Sequence, residues 1–203
     1  MKRFFSSDAA SILSLGIVQG LLTALSIEPF NAPLAAWIMP WPLFYFAGRF
    51  RNSLPRLLMA GAACAIFFCA FAFYWIMHLL KNFAGFGPAE SLLAFLPFAV
   101  FFNLQIPAFV LLFGLTLRKR YRRYFHPRWL TAGLLALGAD YVIPRLFPYS
   151  WGNFIAGNLL MAQVTDLVGV YGLTPILFGI SYFGYRIFTA FIRAFSKGGA
   201  AAA

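Results

Sequence analysis

The sequence predicts an all-α integral membrane protein, a bundle of about six transmembrane helices with both termini in the cytoplasm. Three observations predict this class. Of the 203 residues, 62% are hydrophobic and only 10% are charged, whereas an ordinary soluble domain has roughly 25% charged residues. Six apolar stretches approach the length needed to cross a bilayer. The net charge of +11 is concentrated in short segments between those stretches, as in multipass membrane proteins.

The predicted spans differ in how regular they are. Their bounds are Ala9 to Ile27, Pro33 to Gly48, Leu57 to Leu80, Leu92 to Leu117, Trp129 to Phe147 and Val164 to Ile192. The second contains Pro40 and Pro42, so a broken helix competes there with a full span. The last is long enough to begin as an interfacial segment. The first follows Lys2 and Arg3, as a signal peptide would, but it continues into a Pro-rich turn and is interpreted as an uncleaved anchor.

The cations predict the orientation of the bundle. They lie at the N-terminus, after the second and fourth spans, and after the sixth. The alternate segments hold Glu28, then Lys81 with Glu90, and almost no charge between Pro148 and Gln163. The positive-inside rule therefore predicts cytoplasmic termini, and outward-facing loops at the other three places.

One cationic segment is much denser than the rest, and its basic residues are Arg118, Lys119, Arg120, Arg122 and Arg123. The favoured interpretation is that it fixes the topology, and the alternative is that it binds anionic lipid headgroups. We do not expect a nucleic-acid partner, because the positive charge is divided among separate loops.

Few charged residues lie at membrane depth, where they are costly. Asp140 and Arg145 fall in the fifth span, about 140° apart on an ideal helix, so no simple ion pair is expected unless Pro144 kinks the helix. Asp166 is expected to open the sixth helix, where the helix dipole favours an acid. For all three, hydrogen bonding that fixes the bundle is favoured over an active role.

Motifs for conventional catalysis are missing from the sequence. There is no nucleophile elbow, zinc-protease motif or phosphate-binding loop, and we expect no metal or other cofactor. Cys64 and Cys69 share one span and face different directions, so we expect buried thiols rather than a disulfide. Trp75 and His78 lie one turn apart near the outer end of the third span. Packing at the membrane interface is favoured for both, over a role for His78 as a base.

Four stretches, taken in order, resemble the bacterial apolipoprotein N-acyltransferases. They are Leu25-Ser-Ile-Glu-Pro-Phe-Asn31 with Ala35-Ala-Trp-Ile38, the run from Gly61 to Trp75 with Phe83-Ala-Gly-Phe-Gly-Pro88, the segment from Asp140 to Asn153, and Leu167-Val-Gly-Val-Tyr-Gly172. The resemblance implies an inner-membrane bundle whose outer face accepts phospholipid and lipoprotein. It places Asp140 at the family's acidic position and Tyr149-Ser-Trp151 at its Phe-Pro-Trp.

The resemblance also implies what this sequence does not contain. In the family, acyl transfer proceeds through a cysteine thioester in a periplasmic nitrilase-like domain, with a glutamate and a lysine. The nitrilase-like domain and its Glu-Lys-Cys triad are not found here, so we expect residues 1–193 to form a membrane domain without catalytic residues. Residues 194–203 are expected to be an artificial tail.

Two functions remain open. The favoured one is a non-catalytic, lipid-contacting subunit of a larger membrane assembly, with phospholipid and other membrane chains as partners. The alternative is a truncated or split acyltransferase, and a small transporter is weaker because no inverted repeat is visible. The residues predicted to face lipid or substrate are Trp75, His78, Asp140, Arg145, Trp151, Asn153 and Tyr171.

Overall fold

The computed structural model describes the backbone of residues 2–147 and 149–200, and the side chains of residues 7–147 and 149–195. Within those residues the regular structure is entirely helical, without strands. The helices are α1 (Lys2–Ser26), α2 (Pro33–Ile38), α3 (Trp41–Arg49), α4 (Leu54–Ala72), α5 (Trp75–Phe83), α6 (Pro88–Phe101), α7 (Gln105–Thr116), α8 (Arg128–Val142), α9 (Asn153–Ala156) and α10 (Leu159–Ala200). Pro148 and the last three residues of the predicted tail lie outside the described part.

Among the described residues, three helical segments are long and apolar enough to cross a membrane. They are Ser7–Ser26, Leu54–Ala72 and Leu159–Phe195. Helices α6 and α7 meet at a bend of 42° and form a fourth segment if counted as one span. The all-helical membrane class is therefore confirmed with three to four candidate spans. The count of six and the orientation of the termini stay predictions.

Several of the apolar runs are divided into shorter helices. The second predicted span divides at Met39 and Pro40 into α2 and α3, the third divides at Phe73, and α8 has only 15 residues. Helix α8 ends at Val142, two residues before Pro144, because the residue before a proline is disfavoured in a helix. A helix was expected to continue to Phe147, and that prediction is wrong.

Glycines allow two pairs of helices to approach closely. A Cβ at Gly20 would lie 2.6 Å from the carbonyl oxygen of Phe67, so the backbones of α1 and α4 are in close contact there. A Cβ at Gly61 would lie 2.4 Å from the Cα of Pro107, which brings α4 against α7. Small residues at membrane helix contacts commonly serve this purpose.

Basic side chains gather at one end of the bundle, which we call the cationic end. Asp8 of α1 forms ion pairs with Arg49 at 2.8 Å and Arg56 at 3.1 Å, and Nε of Arg118 donates to the carbonyl of Arg51 at 2.7 Å. The start of α1, the connection from α3 to α4 and the end of α7 therefore meet there. At the opposite end, the turn after α1 lies beside residues 154–161 around a shared cavity.

Helix α10 is kinked at Gly169, whose φ of 69° and ψ of 169° are accessible mainly to glycine. Asp166 lies about two turns inside this helix, so the prediction that it opens the helix is wrong. The helix begins earlier than expected because residues 159–165 are mostly apolar and contain no proline or glycine that would break it. Helix α10 also continues to Ala200, through most of the predicted tail.

Candidate functional site

The carboxylate of Asp140 is the centre of a buried polar cluster. Its Oδ1 lies 2.7 Å from Nη1 of Arg145, whose side chain is only 5% exposed. Its Oδ2 accepts hydrogen bonds from the Thr174 hydroxyl at 2.7 Å and from the Trp151 amide at 3.1 Å. The prediction that Asp140 and Arg145 do not pair on a continuous helix left an exception for a break at Pro144, and that exception applies. Because α8 ends at Val142 and Ile143 is extended, the chain turns back and the ideal-helix angle does not apply.

The guanidinium of Arg145 closes the loop that carries it. Besides the Asp140 carboxylate, it donates to the backbone carbonyls of Asp140 and Tyr149. Its Cζ lies 5.1 Å from the ring centroid of Tyr149 and 5.9 Å from that of Tyr171, within the range of cation–π attraction. A buried ion pair is better tolerated where further hydrogen bonds engage both partners. Here they reach Oδ2 of Asp140 and the guanidinium of Arg145, while Oδ1 of Asp140 is engaged by the ion pair alone.

The segment after Tyr149 is fixed directly to α10. The amide of Gly152 donates to the hydroxyls of Ser150 and Thr174, both at 3.1 Å, and the Ser150 amide donates to Oδ1 of Asn153 at 2.8 Å. A Cβ at Gly152 would lie 1.9 Å from the carbonyl oxygen of Val170. Only glycine therefore fits at this contact.

A second group of hydrogen bonds ties the same loop to the break between α6 and α7. The Tyr149 hydroxyl accepts from Nε2 of Gln105 at 2.6 Å and donates to Oδ1 of Asn103. Sequence reasoning missed Asn103, Gln105 and Thr174. Asn103 and Gln105 could have been found from the sequence, since they are polar residues inside an apolar run. A single threonine in a span, such as Thr174, has little predictive value.

Two of the predicted lipid-facing residues are enclosed by protein. Asp140 has no exposed surface, and Trp151 is 1% exposed, with its ring 4.6 Å from that of Phe178 and 5.9 Å from that of Phe109. In the structure, these two side chains therefore point into the protein and not outward. Tyr171 is half-buried and packs on Tyr141.

The remaining predicted residues lie at the edge of the cluster or apart from it. Asn153 is exposed, although its amide oxygen is engaged. Trp75 is 38% exposed and its ring lies 5.3 Å from that of Phe147, so α5 reaches the same loop through an aromatic contact. His78 is exposed, with Nε2 2.6 Å from the amide nitrogen of Asn82. Whether these residues contact lipid or substrate stays a prediction.

The described residues contain no group of metal-ligand side chains that could hold an ion. Cys64 and Cys69 are free and fully buried, as expected. The basic segment at 118–123 lies at the cationic end, with Lys119, Arg120, Arg122 and Arg123 exposed.

The charges and hydrogen-bonding groups of the polar cluster around Asp140 are directed at one another and at the backbone. This arrangement is that of a cluster that positions the loop.

The fold and the cluster together define a polytopic membrane domain whose loop between α8 and α10 is fixed from within. The apolipoprotein N-acyltransferase N-terminal domain model matches residues 19–183, and this chain belongs to that family.

Similar proteins support the same assignment. Apolipoprotein N-acyltransferase 2 of Leptospira interrogans is 31% identical over 163 residues, covering 80% of this chain and 27% of the relative. The apolipoprotein N-acyltransferase of Bdellovibrio bacteriovorus is 29% identical over 180 residues, covering 87% of this chain and 32% of the relative. This chain therefore spans less than a third of the length of these relatives. No solved structure matches it significantly.

Proposed function

We propose that these residues form a lipid-contacting membrane domain of the apolipoprotein N-acyltransferase type, which does not itself carry out acyl transfer. The observation that carries the proposal is the Asp140–Arg145 pair. Both side chains are occupied by each other, by Thr174 and by backbone groups, so they hold a loop in place and neither is available as an acid, base or nucleophile. The family match to an N-terminal domain supports the same view.

Contact with lipid is supported by the apolar residues around that loop. Tyr141 and Val142 are 74% and 75% exposed, and Leu146 and Leu167 are exposed as well. Exposed apolar side chains of this size mark contact with lipid or with another protein. These residues, rather than the buried Asp140 and Trp151, are the ones we expect to meet acyl chains.

We further propose a bacterial inner-membrane location with six crossings, both termini in the cytoplasm, and a role as a subunit of a larger membrane assembly. The grouping of the basic loops at one end of the bundle supports this orientation. The short helices α2, α3 and α8 would then complete the crossings alongside the longer candidate spans.

The second candidate function is one part of an acyltransferase that acts together with a nitrilase-like domain. The names of the relatives and the high coverage of this chain support it. The cysteine, glutamate and lysine that the family uses would then come from another polypeptide segment, since Cys64 and Cys69 are buried inside the bundle.

Reconstitution separates the two candidates. The 203-residue chain is placed in phospholipid vesicles with a diacylated lipopeptide acceptor, with and without a nitrilase-like domain added in trans, and a full-length family member serves as the positive control. A non-catalytic subunit gives no triacylated product in either arm. Product that forms only when the domain is added would establish the split enzyme, and product from the chain alone would overturn the main proposal.

A further inference from the structure

An apolar groove runs along the bundle between α1, α3 and α10. Its volume is about 880 Å³. Its walls are mostly apolar, and include Leu15, Val18, Leu22, Phe188 and Ile192. We call it the α1–α10 groove. It lies toward the cationic end, where Arg49 lines it but is already paired with Asp8 at 2.8 Å.

A smaller pocket of about 210 Å³ adjoins the groove at the cationic end. Its lining includes the five arginines Arg51, Arg122, Arg128, Arg186 and Arg193. We call it the arginine pocket. The sequence has five acidic residues in all, and none of them lines this pocket. The concentration of like charge is therefore not offset locally by a carboxylate of the pocket wall.

The groove and the pocket share part of their walls. Gly48, Arg51, Tyr185, Thr189 and Arg193 line both. An apolar channel thus leads into a compact set of guanidinium groups. A site of this kind fits an amphiphilic ligand with a long apolar part and an anionic head.

We propose that the α1–α10 groove and the arginine pocket together bind one anionic glycerophospholipid, with acyl chain in the groove and phosphate among the arginines. Guanidinium groups bind phosphate oxygens strongly and with matching geometry. Clusters of basic residues beside a membrane segment attract anionic lipids in the same way. A soluble phosphate would fill the pocket and leave the apolar groove empty, so a lipid fits both parts better. This site goes beyond the proposed function, because it lies at the end of the bundle away from the Asp140 cluster.

Binding by headgroup charge is tested with the 203-residue chain in a neutral detergent. Phosphatidylglycerol, phosphatidylcholine and soluble glycerol 3-phosphate are added separately, and bound mass and thermal stability are measured. Phosphatidylglycerol alone should remain bound and raise the melting temperature. Equal binding of phosphatidylcholine would overturn the charge argument, and equal binding of glycerol 3-phosphate would show a soluble-anion site instead.

Two triple variants with the same change in net charge test the position of the headgroup. Arg51→Gln, Arg122→Gln and Arg128→Gln together remove three pocket arginines, and Lys119→Gln, Arg120→Gln and Arg123→Gln remove three nearby cations that line neither cavity. The pocket variant should bind phosphatidylglycerol on the order of 100-fold more weakly, at roughly fivefold per charge. The control should change less than threefold. Equal losses would mean attraction to the overall charge and would overturn the site.

A glycine at the junction tests the groove. Gly48 lines both cavities, and a Cβ there meets nothing within 4 Å, so Gly48→Leu should fold normally while its side chain obstructs the passage. Gly138→Leu is the matched control, since its Cβ is equally unobstructed and it lines neither cavity. Circular dichroism checks the fold of both. Phosphatidylglycerol affinity should fall at least tenfold for Gly48→Leu only, and an unchanged affinity there would overturn the groove as the acyl-chain site.

Discussion

The Asp140–Arg145 pair concentrates several interactions on two side chains. With Asp140→Asn, the shape is kept but the Arg145 guanidinium loses its counter-charge in a site that is 5% exposed. Leaving a buried charge unpaired costs about 3–5 kcal/mol. We expect the free energy of unfolding in detergent to fall by about that amount. Asp166→Asn, which changes an exposed acid on α10, should have little effect.

The double variant sharpens this prediction. Asp140→Asn with Arg145→Gln removes both charges, so it should be more stable than Asp140→Asn alone. The free energies of unfolding of the unsubstituted chain, Asp140→Asn, Arg145→Gln and the double variant form a double-mutant cycle. If the double variant is no more stable than Asp140→Asn, the ion pair is not the reason for the loss.

The Thr174 hydroxyl links two parts of the cluster, because it donates to Asp140 and accepts from the amide of Gly152. Thr174→Val removes both hydrogen bonds and leaves their partners buried, which costs about 1–3 kcal/mol. Thermal unfolding should show a lower melting temperature. Thr165→Val is the control, since the Thr165 hydroxyl bonds only to the carbonyl of Met161 one turn earlier.

The sequence singled out Asp140 and Arg145 but could not predict how they meet. Their angle was estimated on a continuous helix, while the pairing depends on where α8 ends and on how the following loop turns. Asp8 was missed for a related reason. Its partners Arg49 and Arg56 lie more than 40 residues away along the chain, and nothing in the local pattern indicates such a contact.

At the scale of helices, the contact between α1 and α4 depends on the absence of a side chain at Gly20. Gly20→Ala would place a Cβ 2.6 Å from a backbone oxygen, so the helices must separate. Overpacking of this kind costs about 1–3 kcal/mol, and we expect a lower melting temperature. Gly138→Ala, with no atom within 4 Å of its Cβ, should be neutral or stabilising because alanine favours a helix by about 1 kcal/mol.

Some of the helices could be predicted from the sequence and others could not. The apolar runs located α1, α4 and α10, because long uninterrupted stretches leave little choice of structure. The breaks at Phe73 and at 102–104 were not predicted. Pro107 accounts for the second break, because it has no N–H and its ring clashes with the carbonyl of residue 103, whereas no proline or glycine lies near Phe73.

For the whole molecule, the basic loops predict which end faces the cytoplasm. The native thiols are buried, so single cysteines introduced at Asn82 and Arg120 can be read against a low background. A membrane-impermeant thiol reagent added outside spheroplasts should label the cysteine at Asn82 and not the one at Arg120. Labelling of both in lysed cells is the control. The reverse pattern in intact spheroplasts would show that the orientation is inverted.

The kink in α10 has a consequence for the bilayer itself. Beyond Gly169, the apolar part of the helix, residues 170–185, is about 24 Å long at 1.5 Å per residue and ends at Arg186, while the hydrocarbon core is about 30 Å thick. This hydrophobic mismatch is relieved by thinning of the surrounding lipid or by extension of the Arg186 and Arg193 side chains to the interface. The depth at which these arginines lie, and with it the position of the arginine pocket relative to the lipid headgroups, should therefore follow the acyl-chain length of the host membrane.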